Sequence, residues 1–426
     1  MIGGGAGTFK YARESTTKTT EAIDFDELDR FTPQDSNVLG ESFILDTLVP
    51  TSSTSFTITN GWGWSGNTAT IRVSADGTAN SWTTISSTQA MENNQNVTVS
   101  HSSNFRYIRI KHNTSDVNFG NITTTNQPLL SRAQSTFANG LYWIKDRENS
   151  NNHQLVSSEY SGVIGCPTVG SYQSTFPAYS APSGNSVAWC WGTDATGLNK
   201  KAGFEIIQQL GTKTYTTVNH RLEKEPKCII AFAGRGDLAL TMYHASLGPN
   251  YRATMSSALQ FYNEPAWWGG DPTDFTATTF GVGNTSYTND DENFNGGMTY
   301  FVWTDIPGYS DFGSYEGNGT SNGNGPFIYT GFKPAFLIIK NADATGDWVI
   351  LDTTRTPNNV NEVAFKGNSA IPEAADANYS VDFLSNGFKI KSNGDADTNA
   401  SSNTYVYMAF AENPFGGENQ PPATAR

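Results

Sequence analysis

The C-terminal two thirds of this chain repeat one sentence with drift. Glu225-Pro226-Lys227-Cys228-Ile229-Ile230-Ala231-Phe232 returns as Lys333-Pro334-Ala335-Phe336-Leu337-Ile338-Ile339-Lys340, with Pro226 and Pro334 108 positions apart. Met298-Thr299-Tyr300-Phe301-Val302-Trp303 returns as Asn403-Thr404-Tyr405-Val406-Tyr407-Met408, with Tyr300 and Tyr405 105 positions apart. A shortened copy stands earlier, as Leu141-Tyr142-Trp143-Ile144-Lys145-Asp146 and then Ser186-Val187-Ala188-Trp189-Cys190-Trp191. A period this long is the size of a domain, well beyond the roughly 20–50 residues of a solenoid repeat. The chain therefore reads as a modular array.

Each full copy follows the same plan. An aromatic strand (Ile328-Tyr329-Thr330-Gly331-Phe332) precedes a Pro-led strand, and Asp347-Trp348-Val349-Ile350-Leu351-Asp352 comes next. Phe383-Leu384-Ser385-Asn386-Gly387-Phe388 then carries a hairpin signal, since Asn-Gly suits a two-residue turn. Residues 226–232 and 334–340 are apolar at successive positions, as a strand covered on both faces requires. The expected fold class is all-β, with tandem antiparallel β-sandwich or jelly-roll modules after an extended N-terminal arm. The expected divisions are an arm at 1–40, a jelly-roll-like module at 41–125 and a truncated repeat at 126–202. Full repeats follow at 203–311 and 312–416, then a tail at 417–426.

Composition narrows the function. Lys and Arg number 26 against 40 Asp and Glu, a formal charge of −14. Nucleic-acid binding calls for a basic footprint, and anionic membranes repel such a charge, so neither partner is expected. No apolar stretch is long enough for a membrane span or a signal peptide, so a soluble chain is expected. The three cysteines, Cys166, Cys190 and Cys228, do not make a disulfide framework and are expected to be buried thiols.

Catalytic patterns are missing. No two of His101, His112, His153, His220 and His244 stand at metal-ligand spacing, and no Cys-x-x-Cys occurs, so neither metal nor cofactor is expected. Gly61-Trp62-Gly63-Trp64-Ser65-Gly66 fits a dinucleotide fingerprint by letters, but a strand rather than a helix follows it. Asp395-Ala396-Asp397-Thr398-Asn399 opens like a calcium loop, yet Ala400 and Val406 stand where glycine and glutamate belong. Asp271 and Asp274 form an acidic pair in a Gly/Pro-rich loop, where turn chemistry is the plainer use. No enzyme is expected.

Aromatic rings remain as ligand chemistry. Trp267 and Trp268, with Asp271 close by, stand in a Gly-rich segment, and Trp62 and Trp64 stand in another. Two uses are open to them: stacking on sugars, or plugging a sandwich edge or an inter-subunit contact. Paired indoles in so short a segment are hard to bury together. In the arm, Thr20 to Phe31 suits one short helix, with Phe25, Leu28 and Phe31 near one face as a docking stripe for a neighbouring subunit.

Two resemblances follow from these strings. Ser74-Ala75-Asp76-Gly77, Trp82 and Arg106-Tyr107-Ile108-Arg109-Ile110 resemble discoidin-like jelly rolls, which implies a fold but no ligand. Residues 334–340, 347–352, 382–389 and 405–415 resemble a repeat of tailed-phage virion proteins, common in phages of marine and cyanobacterial hosts. The shortened copy is similar to that family's other variant. The resemblance implies a non-enzymatic virion protein, a tail or fibre component with adhesion to the host surface as an added role. A capsid decoration or head-fibre protein, or a glycan-binding protein, is the alternative. It also implies homo-oligomers, virion partners reached through the arm, and location on the tail or capsid surface.

Overall fold

In the computed structural model, described residues are 2–4, 10–15, 18–23, 42–51, 55–60, 67–74, 82–91, 96–100, 105–112, 119–124, 139–158, 163–165, 186–234, 238–293, 296–320, 323–392 and 394–411. Their regular elements are almost entirely antiparallel β-strands. None of the described helices is long and apolar enough to cross a membrane. The chain divides into two compact units, one of residues 3–136 and one of residues 1–2 and 137–426.

In the first unit, a six-stranded sheet runs in the order Lys18–Ile23, Lys10–Ser15, Ser42–Thr51, Phe105–His112, Asn67–Ser74, Thr83–Met91. A three-stranded sheet holds Phe119–Thr124, Ser55–Asn60 and Asn96–Ser100. Ala69, Ile71 and Val73 are buried while Arg72 is exposed, the alternation of a strand with one face inward. Within the extended arm expected at 1–40, residues 10–15 and 18–23 are instead paired strands. Lys10–Ser15 pairs with Ser42–Thr51, and Lys18–Ile23 extends the same sheet, so Thr20 to Ile23 lie in a strand and not in a helix. β-Branched Thr19, Thr20 and Ile23 favour that outcome. Phe25, Leu28, Phe31, Trp62, Trp64 and Cys166 lie outside the described residues.

The second unit contains three main sheets, one from each repeat. In the first repeat, the strands from residue 139 onward run Ser186–Thr193, Asn139–Asp146, Gln154–Ser157, Val163–Gly165. The second repeat's sheet centres on Phe204–Gln209, Met298–Trp303, Cys228–Ala233, Thr241–His244 and Tyr251–Thr254, in that order. The third centres on Ser310–Glu316, Thr404–Ala411, Pro334–Asn341, Val349–Asp352 and Val363–Lys366. In every copy the closing strand lies beside the strand that opens the motif. The five central strands of the two full repeats follow the same order.

The continuous apolar runs are explained by two different partners. Ile229, Ala231 and Ala233 face a small outer sheet of Thr216–Asn219 and Thr279–Val282. Leu337 and Ile339 face an outer sheet of Phe327–Tyr329, Gly387–Ile390 and Val381–Leu384. The alternate residues all enter one common core. Trp143, Trp189 and Trp191 of the first repeat meet Ile230, Phe301 and Trp303 of the second and Phe336, Met408 and Phe410 of the third. The repeats were expected as separate sandwiches. They share a core because the large sheets of the second and third repeats each have a second apolar face that their own small sheets do not reach.

The hairpin at 381–390 forms with Leu384 opposite Gly387, so Ser385 and Asn386 make its turn. Gly387 is required by close approach: a Cβ there would lie 2.0 Å from the Ile328 carbonyl oxygen.

Candidate functional site: the seams between the repeats

Trp191 is where the three repeats meet. Its ring centre lies 5.8 Å from Trp303 of the second repeat, and 5.7 and 5.6 Å from Phe336 and Phe410 of the third. Trp189 adds edge or tilted contacts with Phe336 and Phe365. Such geometries suit the quadrupoles of the rings and leave little freedom to slide.

Polar groups fasten the rim of this core. Lys145 and Lys340 hold equivalent places, next to last in the strands Asn139–Asp146 and Pro334–Asn341, and both are fully buried. The Lys145 ammonium donates to the Asp146 carbonyl at 2.8 Å and lies 5.3 Å from the Phe365 ring of the third repeat. Lys340 donates to the Asn341 carbonyl at 2.9 Å and to Ala258 of the second repeat at 3.2 Å. Burial lowers the Lys340 pKa to about 8, partly opposed by Asp397 and Asp347.

The next residue is also equivalent. Asp146 Oδ1 accepts the backbone N–H groups of Glu148 and Asn149, two and three residues on. Asn341 Oδ1 accepts those of Asp343 and Ala344 at the same offsets. Burial tends to raise the Asp146 pKa, but these hydrogen bonds and those from Asn149 and Asn151 side chains leave it lowered.

Histidines cross the seams as neutral groups. His153 Nδ1 accepts the Trp143 indole N–H at 2.8 Å, which leaves Nε2 protonated to donate to the Lys366 carbonyl of the third repeat at 3.2 Å. His244 Nδ1 accepts Ser246 N–H, and its Nε2 donates to Tyr407 of the third repeat at 3.1 Å. Burial, aided by the Lys145 charge, lowers the His153 pKa to about 3, and burial lowers His244 to about 4.

An ion-pair chain completes the first–third seam. Arg147 meets Glu373 at 2.8 Å, Glu373 meets Arg355 at 3.0 Å, and Arg355 meets Asp352 at 2.5 Å. Asp352 also accepts the Trp189 indole N–H at 3.3 Å. Arg355 lies 4.3 Å over the Phe365 ring. Every charge in this chain has an opposite charge beside it, as buried ions require.

The residues singled out from sequence stand elsewhere. Trp268 is wholly buried and Trp267 is 8% exposed, both in the core beneath the second repeat's outer sheet. Trp267 stacks on Tyr287 with centres 4.2 Å apart, while Arg252 lies 4.1 Å from its ring centre. Neither ring offers a free face to a sugar, which corrects the expectation that both could not be buried. The reason is Gly283, whose missing Cβ would fall 1.7 Å from the Ala266 carbonyl oxygen. That close approach lets Gly283 and Asn284 N–H groups bond Trp267 and Ala266 and fold the segment inward. Asp271 caps a short 3-10 turn at 272–274 by accepting from Thr273.

Asp397 Oδ1 accepts Asp347 N–H, and Asn399 bonds Asn318, so those calcium-like positions brace neighbouring loops. Among the described residues no three His, Cys, Asp or Glu side chains gather as a metal centre would. Cys228 is buried and Cys190 partly so, and burial raises both thiols, Cys190 to about 11. The seam residues escaped the sequence reading, although Lys145-Asp146 and Lys340-Asn341 stand at equal places in the repeats, a signal that was present.

Several solved structures show local likeness. One is a glycoside hydrolase, 17% identical over 21% of this chain, which spans 20% of that protein's length, at a TM-score of 0.19. Another is CpGH89CBM32-6 produced by Clostridium perfringens, 21% identical, with 28% of this chain covering 94% of that one at a TM-score of 0.21. A third is the f-lectin (fucolectin) from striped bass (Morone saxatilis) serum, 11% identical over 63% of this chain and 78% of that one, at 0.19. At these scores the likeness says nothing of what the chain binds. No curated protein matches. Residues 168–414, more than half of the chain, match a family described as a domain of unknown function, DUF7483, and the chain belongs to that family.

Proposed function

We propose that this chain is a non-enzymatic structural protein of a phage particle, a tail or fibre component in preference to a capsid decoration. The observation that carries the structural reading is the single core of three repeats, closed at its rim by buried lysines, neutral histidines and paired ions. Buried groups such as Lys340, His153 and His244, whose pKa values burial lowers, are the usual raw material of catalysis. Here their hydrogen bonds and ion pairs join one repeat to the next. Fusing three sheets in one chain gives a rigid block without relying on subunit concentration. The resemblance of residues 334–340 and 405–415 to virion repeats supplies the setting.

The test is direct. Gold-labelled antibodies against the chain, applied to gradient-purified particles, should mark the tail. Labelling over the head would move the assignment to decoration, and absence of the chain from purified particles would overturn the virion reading. A glycan-binding role draws on a separate surface, argued next.

A further inference from the structure

The outer sheet of the third repeat presents two rings to solvent that its fold does not use. Along Phe327–Tyr329, Ile328 points into the core, while Phe327 is 47% and Tyr329 65% exposed. Residues two apart share a face and stand roughly 7 Å apart. The register places Lys389 opposite Phe327 and Asp382 opposite Lys389, giving one cross-strand row. The second row runs Tyr329, Gly387, Leu384, so the residue paired with Tyr329 carries no side chain. Lys391 pairs with Asp382 at 3.7 Å.

The second repeat is an internal control. There Val218 lies opposite Phe280, as Ile328 lies opposite Phe388, so Thr217 and Asn219 occupy the positions of Phe327 and Tyr329. Both are exposed. The same strand is built with Thr and Asn on its outer face, so the packing of the repeat does not require aromatic rings there.

We propose that Phe327 and Tyr329 form a stacking platform for a polysaccharide, with Lys389 and Asp382 bonding its hydroxyl groups. A pyranose ring has an apolar C–H face that lies flat on an aromatic ring and a rim of hydroxyls that needs donors and acceptors. The two rows supply both: rings along the edge strand and a donor and an acceptor on the next two strands. A protein partner would ask for a larger apolar area than two rings on a three-residue strand. The ligand class is a pyranose polymer, and Lys389 also suits a sugar carboxylate. That its source is a host surface rests on the virion reading; the site itself does not.

The test is affinity electrophoresis of the full chain in gels cast with dextran, mannan, xylan or alginate, alongside F327T/Y329N, which installs the second repeat's residues, and K389Q. Wild type should be retarded by at least one polymer. F327T/Y329N should lose about tenfold or more in affinity while melting at the wild-type temperature. Loss of retardation in alginate alone for K389Q would assign the carboxylate to Lys389, and an equal loss in neutral gels would assign hydroxyl bonding. Retardation in none of the gels, or equal retardation of wild type and F327T/Y329N, would overturn the proposal and leave the virion reading untouched. Self-association abolished by F327T/Y329N in sedimentation, without retardation in any gel, would also overturn it.

Discussion

The second and third repeats lay down the same five central strands in the same order, yet they differ at both margins of that frame. At the inner margin the third repeat ends its central strand in Lys340-Asn341, where the second has Phe232-Ala233. Lys340 reaches across a seam to Ala258, while Phe232 simply joins the shared core. At the outer margin Phe327 and Tyr329 replace Thr217 and Asn219. Between the margins little changes: Ile230 and Ile338 enter the shared core, and Ile229 and Leu337 face outward. The repeated strands therefore set the frame, while seam chemistry and surface chemistry vary independently of it.

The largest effect is expected at the point where this comparison stops mattering. Trp191 touches both full repeats. W191A should destabilise the 137–426 unit by about 3–5 kcal/mol, as read by urea unfolding. A loss confined to the first repeat's strands would mean that the repeats do not depend on one another.

Exchanging the inner margins should give an asymmetric result. F232K would place an ammonium in the apolar core without the Asn341-type corner, at a cost of about 3–5 kcal/mol. K340M should stay within about 1 kcal/mol of wild type, because an apolar residue of similar volume removes the burial cost of the charge. The Ala258 carbonyl keeps its bond from Gly346 N–H. Equal losses in the two variants would erase the distinction between the margins.

The seam histidines and lysine predict opposite limbs in a pH profile. Unfolded imidazoles take up protons near pH 6.5, whereas folded His153 and His244 do so only near 3 and 4. Between those values the unfolded chain binds more protons, so stability drops by about 1.4 kcal/mol per histidine for each unit by which the pH is lowered. Lys340 loses its proton near 8 when folded and near 10.4 when unfolded. The unfolded chain again holds more protons in that window, so this group makes stability rise from about pH 8 to 10. H153Q/H244Q should flatten the acid limb and leave the alkaline limb. An unchanged acid limb would remove the histidines from the account.

The smallest effect belongs to the outer margin. F327T/Y329N should shift stability by no more than about 0.5 kcal/mol. A loss of 2 kcal/mol or more would make the rings part of the core.

The strands were legible in the sequence because their apolar runs are long and recur. Pro334–Asn341 and Thr404–Ala411 stand where the repeated strings place them. What covers the second face of each run was not legible. Apolar residues on successive positions show that both faces are buried, not whether by a small sheet or by another repeat. Trp267 and Trp268 were misread for a related reason. Glycine at 269 and 270 suggested an open loop, but Gly283, distant in sequence, admits that segment into the core. Thr20 to Ile23 fitted helix spacing locally, and pairing of Lys18–Ile23 with Lys10–Ser15 outweighed it. The seams were half legible, since the Lys-Asp and Lys-Asn pairs recur visibly while their partners in other repeats do not.

The common core is what makes the three repeats one folding unit. Native-state hydrogen exchange of the full chain, followed through rising denaturant, reports the opening of Asn139–Asp146, Cys228–Ala233 and Pro334–Asn341 separately. A shared core predicts that the three strands merge into one opening, with a single free energy and a single denaturant slope. Three distinct free energies, each with a smaller slope, would show three independent modules and contradict it.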